Sequence, residues 1–226
     1  MINFDVITIF PDTVSGYVSE SILGRAQKKR FIGIRLHDPR AYSEDRHNKV
    51  DARPYGGGPG MVMSLQPILS CFRNVARNAS RRGDKKESEV IIFNAAGKQL
   101  DEKTAGFLSK KKNLVLICGH YEGIDGRLPK IIRDMGWKVR ELSVGPYVLT
   151  GGEVPAMAVI DAVSRKIKGV LGKEESLEEK RQGVGTKVFT RPEEFKWQGK
   201  IYRVPKELVS GNHRLIEKWR LEHKEK

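Results

Sequence analysis

The stretch Ser143-Val144-Gly145-Pro146-Tyr147-Val148-Leu149-Thr150-Gly151-Gly152-Glu153 constrains this chain more than any other. Its three glycines and one proline leave too few side chains for a helix and too little strand propensity for a core strand. Gly145, Gly151 and Gly152 either adopt positive φ or let another group approach the backbone closely. Pro155 then stands where the first turn of a helix tolerates proline, and Met157, Val159, Ile160 and Val163 continue with rough helical spacing. The expectation is a rigid loop feeding a helix, with backbone amides and carbonyls free to grip a flat, polar small molecule. A glycine-rich turn without a ligand is the plainer alternative, because such loops are common punctuation.

Two further loops strengthen the ligand reading. Residues 4–10 read as a buried strand stopped by Pro11-Asp12. A helix is expected from about Thr13 to Arg30, despite Gly16 and Gly24, and a second strand over 31–36. These steps predict an α/β sheet with helices packed on it. Leu65, Ile68, Leu69, Phe72 and Val75 recur at helical spacing between about 64 and 78. Val90-Ile91-Ile92-Phe93 is an apolar strand ending in Asn94-Ala95-Ala96-Gly97. Residues 113–118 form another, ending in Gly119-His120-Tyr121-Glu122-Gly123-Ile124-Asp125. A helix length between two fully apolar strands predicts parallel neighbours. Ligands of open α/β sheets sit beyond the carboxyl ends of strands, so the Asn94, Gly119 and Gly145 loops are expected to converge. No Gly-x-Gly-x-x-Gly follows a strand, which argues against an ordinary dinucleotide-binding domain.

The third feature is a long loop over 45–61. Four glycines and two prolines in residues 54–60 exclude helix and interior strand. Arg46, His47, Lys49, Arg53 and Tyr55 suit phosphate contact and base stacking, and no Gly-Lys-Ser/Thr follows to make a Walker A loop. The chain carries a net charge of +14, and phosphate polyanions are the commonest reason for such a balance; a lysine-rich proteome is the alternative. Cys71 and Cys118 imply neither a disulfide framework nor a zinc site, which fits a reducing, cytoplasmic setting. No apolar run reaches membrane-spanning length, and no signal peptide is expected. Residues 166–191 turn polar and read as a linker. Beyond them Trp197, Ile201, Val204, Leu208, Ile216 and Trp219 suggest a small helical core, with Ser210 as N-cap of a helix from about Asn212 to Glu222.

Several of these motifs together resemble the bacterial tRNA (guanine37-N1)-methyltransferase family, TrmD, of the SPOUT superfamily. The resemblance runs along nearly the whole chain. It is carried by Asp45-Arg46-His47 through Val50-Asp51 and by Arg53-Pro54-Tyr55-Gly56-Gly57-Gly58-Pro59-Gly60-Met61. Cys118 through Asp125, Tyr147 through Glu153, Gly169-Val170-Leu171-Gly172, Thr190-Arg191-Pro192 and Ser210-Gly211-Asn212-His213 continue it.

The resemblance implies an α/β fold with a parallel sheet and a deep trefoil knot through which the Gly145–Gly152 loop is threaded. It divides the chain into a methyltransferase domain (1–165), a flexible linker (166–190) and a small C-terminal helical domain (191–226) that binds the anticodon region of the tRNA. It implies S-adenosylmethionine as methyl donor, held by Ile92, Phe93, Asn94, Gly119, Tyr121, Glu122, Val144, Gly145, Pro146, Tyr147, Val148, Leu149, Gly151 and Gly152. Arg53, Tyr55, Gly57, Pro59, Asn212 and His213 are the implied RNA contacts, the partner being the anticodon region of a tRNA. The family also implies a homodimer, no membrane association and a magnesium requirement, for which the sequence shows no ligand cluster. Arg165 matches the family arginine beside the target guanine. The family's general base is an aspartate some eight residues after Gly-Val-Leu-Gly; here that position is Lys180, which is protonated at neutral pH unless strongly desolvated. Glu179 or Glu178 could substitute if the register shifts. Pro146 and Ala52 also stand where the family usually has aspartates. A tRNA-binding relative with weak or no catalysis, or a SPOUT enzyme with another RNA target, are the competing readings.

Overall fold

The computed structural model describes residues 1–81, 83–171 and 187–223. Its strands begin with β1 (Ile2–Ile7), β2 (Ile32–His37) and two short ones, β3 (Asp51–Ala52) and β4 (Val62–Met63). β5 (Ser88–Gln99), β6 (Asn113–Ile117) and β7 (Val139–Ser143) follow. β3 and β4 form a two-stranded ladder, and the five longer strands form one sheet in the order β2-β1-β6-β5-β7. Every ladder in that sheet is parallel. β5 and β6 are parallel neighbours, as their unbroken apolar runs imply.

Period-two alternation sorts the strands onto two cores. Phe4, Val6, Ile91, Leu114 and Leu116 face one side, against α1 (Pro11–Val18), α2 (Ser21–Lys28), α4 (Glu102–Leu108) and α6 (Glu153–Ser164). Ile7, Val90, Ile92, Val115 and Ile117 face the other, against α3 (Leu65–Arg81) and α5 (Leu128–Asp134). Asp5, nearly fully buried, is held by two neighbours on β2. Arg35 binds it through Nε at 2.7 Å and Nη2 at 2.9 Å, and His37 Nε2 lies 2.8 Å away. Burial alone would raise the Asp5 carboxyl, but hydrogen bonds from Arg35 and His37 outweigh it and lower the pKa from 3.8 to about 2.

Four elements depart from the sequence reading. The single helix expected over 13–30 is two helices, because Glu20 is extended and Ser21 takes φ 51°. Gly24 permits the break: a Cβ there would lie 2.0 Å from the Ser19 carbonyl oxygen. β5 continues past Phe93 to Gln99, with a register shift against β7 between Phe93 and Lys98. β7 itself and α5 have no counterpart in the sequence reading; β7 is an edge strand whose Arg140 and Glu141 are half-exposed, so no apolar run announces it.

The chain divides into two compact units, Met1–Val170 and Leu171–Lys226. Ile167 and Val170 pack on the first unit's core, so residues 166–170 belong there rather than to a linker. The described part of the second unit carries a hairpin, β8 (Glu194–Trp197) and β9 (Lys200–Arg203), as well as the helices Lys206–Val209 and His213–Glu222. Trp197 and Ile201 are exposed rather than core. Asn212, not Ser210, caps the last helix: its Oδ1 accepts from Arg214 N at 3.1 Å and Leu215 N at 3.4 Å. Ser210 Oγ accepts from Asn212 N at 3.1 Å, one step upstream of the cap.

Candidate active site

The stretch of β5 at its register shift and the loops after β6 and β7 meet around a cavity of about 550 Å³; the loop expected at Asn94 is instead part of β5. This is the place where open α/β sheets bind ligands, and the volume suits a small molecule. Ile92, Phe93 and Asn94 form one wall, Gly119 to Gly126 a second, and Val144 with Tyr147 to Gly152 a third. Glu122, Asp125 and Glu141 bring carboxylates to the lining, and Lys130 and Arg133 bring cations. Asn94 Nδ2 donates to Glu141 Oε2 at 3.0 Å, tying the β5 end to β7.

Backbone contact holds the second and third walls together. Gly152 N donates to Gly119 O at 2.9 Å, and His120 and Gly151 form an antiparallel bridge. None of Gly145, Gly151 and Gly152 takes positive φ. Close approach is therefore their role. A Cβ on Gly152 would lie 2.6 Å from Cys118 Cα, one on Gly151 2.2 Å from His120 Nε2, and one on Gly145 2.2 Å from the Tyr147 ring.

Beneath this seam lies a charged network that the sequence does not announce. Glu153, the first residue of α6, is 5% exposed. Its Oε1 accepts from the Thr8 hydroxyl at 2.5 Å, and its Oε2 lies 2.6 Å from His120 Nε2. A buried carboxylate is tolerated only with such partners. An ionised carboxylate only accepts, so with Glu153 in that form the donor of the pair is His120 Nε2. The His120 ring also meets Phe10 edge-on, with centroids 4.9 Å apart. Glu153 thus ties the end of β1, the loop after β6 and the start of α6 to one carboxyl group. Burial, reinforced by Glu153, pushes the neighbouring Cys118 thiol well above its usual pKa, so it is no nucleophile. A glutamate is ordinarily exposed, so only the tertiary structure could single this one out.

β4 extends the site on the outer side, bridging to Tyr121 and to Ile124. Tyr121 sits at φ 60°, and its hydroxyl hydrogen-bonds Asp51, which raises its pKa. Arg127 grips Asp125 through Nε at 2.9 Å and Nη2 at 2.6 Å, and this hydrogen bonding holds the Asp125 carboxyl below its usual value. Asp125 and Gly126 also border a second cavity of about 960 Å³, whose lining includes Arg53, Tyr55, Arg73 and Arg127.

Twelve of the fourteen residues assigned to the donor line the first cavity; Gly145 is buried behind it and Pro146 is exposed outside it. Gly145 packs on the Tyr147 ring instead, and Pro146 leads the chain over the surface. Of the RNA-binding candidates in the first unit, Arg53 and Tyr55 line the second cavity, whereas Gly57 and Pro59 are exposed and do not. Asn212 is occupied as a helix cap and His213 is exposed beside it. Arg165 is the C-cap of α6, at the opposite end from Gly152. The twelve residues of α6 separate them by about 18 Å at 1.5 Å per residue, so Arg165 does not reach its own chain's cavity. Glu178, Glu179 and Lys180 lie outside the described residues.

Comparison with known proteins adds an independent line. A family model described as tRNA (Guanine-1)-methyltransferase TrmD matches residues 2–226. The chain is 43% identical over 219 residues to a tRNA (guanine-N(1)-)-methyltransferase of Alkaliphilus oremlandii, covering 95% of this chain and 84% of that protein. It is 43% identical over 222 residues to the protein of the same name from Ruminiclostridium cellulolyticum, covering 97% and 89%. The similarity to that of Actinobacillus pleuropneumoniae serotype 5b is 41% over 220 residues, covering 96% and 84%.

Proposed function

The chain belongs to the TrmD family of tRNA (guanine-1)-methyltransferases, and from that premise we propose that it methylates N1 of guanosine 37 in tRNA, with S-adenosylmethionine as donor. One observation carries the reading: the register-shifted stretch of β5 and the loops after β6 and β7 converge into a single glycine-lined cavity. The residues present fit the donor. Ile92 and Phe93 offer apolar contact, the backbone groups of Gly119 and Gly151 lie at the lining, and Glu122 and Glu141 suit a cationic ligand. The bound donor supplies an electrophilic methyl group.

The protein's own work is to hold, orient and deprotonate. The Thr8–Glu153–His120 network keeps the second and third walls in register, which would orient a donor held against them. Guanine N1 carries a proton and is a poor nucleophile until it leaves; a positioned carboxylate accepts it. We assign that role to Glu179, with Glu178 as the neighbouring candidate. Negative charge then builds on O6, where the Arg165 guanidinium stabilises it. Because α6 carries Arg165 away from its own cavity, that guanidinium serves a second protomer's site, and the working unit is a homodimer. A threaded path is supported by the route of residues 144–152: from edge strand β7 they pass the end of β5 to bond with the loop after β6.

The described residues bring no three His, Cys, Asp or Glu side chains together as a metal site, and no step is routed through magnesium. No helix among them is long and apolar enough to cross a membrane. We place the reaction in the cytoplasm, where tRNA is found. One observation favours a second reading: Lys180 at the family's base position, which points to a tRNA-binding relative with little or no catalysis. Tritium transfer to tRNA transcripts bearing guanosine or adenosine at 37 separates the readings. Transfer to guanosine alone supports the first; donor binding without transfer supports the second; transfer to both indicates another RNA target. If neither Glu179→Gln nor Glu178→Gln slows single-turnover methylation, the base assignment is wrong.

A further inference from the structure

The outer side of α3 has no role in the reading above. The helix buries Ile68, Phe72, Val75 and Ala79 against the sheet. Its other side, at spacings of three and four, carries Gln66, Ser70, Arg73, Arg77 and Ser80. That side borders a third cavity of about 550 Å³, completed by Tyr42, Lys85, Met135 and Trp137. The third cavity shares Ser70 and Arg73 with the second, and the second shares Asp125 and Gly126 with the first. The three are therefore contiguous, a groove that leads from the candidate donor site along α3.

The far part of the groove is cationic. Arg73, Arg77 and Lys85 line the third cavity, and no carboxylate does. Among the described residues no carboxylate pairs with any of the three. Arg77 Nη2 donates to Asn74 Oδ1 at 2.9 Å and Lys85 Nζ to Met135 O at 3.0 Å, which leaves each with further N–H donors. Arg73 stands mid-helix, outside the last turn where the helix dipole favours a cation. The rings of the cavity are engaged elsewhere. Trp137 is 5% exposed and meets Phe72 edge-on, and the Tyr42 hydroxyl accepts from Asn74 Nδ2 at 2.8 Å. The cavity thus offers charge without a stacking platform, which suits phosphates rather than bases. Arg73 and Arg77 lie one helical turn apart, about 6 Å along α3. A row of cations continuous with the candidate active site matches successive phosphates of one chain better than a single free anion.

We propose that this groove carries the phosphate backbone of the RNA strand beside the methylated nucleotide, with Arg73, Arg77 and Lys85 each meeting a phosphate. The proposal rests on the reading that the substrate is an RNA methylated at the first cavity. It adds three contacts that do not depend on base sequence.

The full-length protein is titrated with labelled tRNA at about 0.1 M salt and at several higher concentrations, with S-adenosylhomocysteine present. One phosphate contact contributes about 0.7–0.9 to the salt slope, or about five- to eightfold in affinity at about 0.1 M. Arg73→Ala and Arg77→Ala should each lose about that much, and the double variant about twice the slope. Both positions are exposed, and alanine is the strongest helix former, so α3 persists. Lys110→Ala removes the same charge from an exposed position outside the three cavities and should leave the slope unchanged. Phosphate-ethylation interference on the native complex should mark a run of phosphates next to the target guanosine, part of which disappears in the double variant. Arginine variants that lose no more affinity or slope than Lys110→Ala overturn the proposal. So does saturable binding of inorganic phosphate that is lost in Arg73→Ala while tRNA affinity is unchanged, since the groove then holds a free anion. Methyl transfer to tRNA by the native chain is measured in parallel. If transfer occurs and the arginine variants bind tRNA as the native chain does, only this proposal fails. If the variants weaken as expected and no tRNA is methylated, only the catalytic reading fails.

Discussion

Replacing Gly152 by alanine tests the central geometric claim, that two walls of the cavity meet backbone to backbone. The new Cβ would lie 2.6 Å from Cys118 Cα and 2.9 Å from both Cys118 Cβ and Gly119 N. Ordinary van der Waals contact begins near 3.4 Å, so the seam must open by about 0.8 Å. The obstructing atoms are backbone at the end of a buried strand and cannot swing aside. Overpacking of this kind costs about 1–3 kcal/mol. Opening the seam also stretches the Gly152 N to Gly119 O hydrogen bond, 2.9 Å in the native chain, worth about 1 kcal/mol. Together these destabilise the first unit by about 3 kcal/mol, a drop in Tm of roughly 6–12 °C for a chain of this size. The displaced wall also loses its fit to the donor, and affinity for S-adenosylmethionine measured by calorimetry should fall at least about tenfold. Gly106→Ala in α4 is the control: nothing lies within 4 Å of its added Cβ, and removing a helical glycine should stabilise by about 0.5–1 kcal/mol. If Gly152→Ala melts with the native protein and binds the donor equally well, the two loops are not in contact as described and the account of the site is wrong.

Three further outcomes follow from particular contacts. Asp5 has its folded pKa lowered to about 2 from 3.8, so the unfolded chain binds the extra proton as acid is added. Its contribution is present above about pH 4 and is lost as pH falls towards 2, amounting to about 2 kcal/mol. Urea unfolding across that range should show this slope in the native protein and lose it in Asp5→Asn. Glu153→Gln removes the charge and leaves an amide oxygen to accept from only one of Thr8 and His120 in a buried site, and should cost about 1–3 kcal/mol. Donor affinity should fall with it; a calorimetric Kd equal to the native value would remove the network from its positioning role. Leu114→Ala, at a fully buried position of β6, should cost about 2–5 kcal/mol by urea titration, whereas a loss under about 1 kcal/mol would mean that the packing there is loose.

Much of the scaffold was legible because the relevant signals are local. Val90 to Phe93 and Leu114 to Ile117 are apolar on both faces, which requires helices on both sides and hence parallel pairing. The small residues after Phe93, Cys118 and Val144 pointed to neighbouring stretches, and Asn94, Gly119 and Val144 do line one cavity, although Asn94 lies within β5 and not in a loop. Elements governed by mixed or distant contacts were not legible. β7 carries charge because it lies at the sheet edge, and the break before Ser21 depends on what packs over Gly24.

By itself, then, the order of residues determined an α/β sheet of parallel strands, three loops able to meet beyond it, and a cationic surface suited to RNA. Periodicity, glycine content and charge are properties of neighbours along the chain, and they survive without coordinates. Tertiary structure alone decided that Gly151 and Gly152 are needed for contact rather than for positive φ, because the atoms they admit come from Cys118 and His120. It alone buried Glu153 between Thr8 and His120, and it alone set Arg165 a helix length from the cavity on its own chain. Each of these is a distance between residues far apart in sequence or in space, and such distances exist only once the chain has closed on itself.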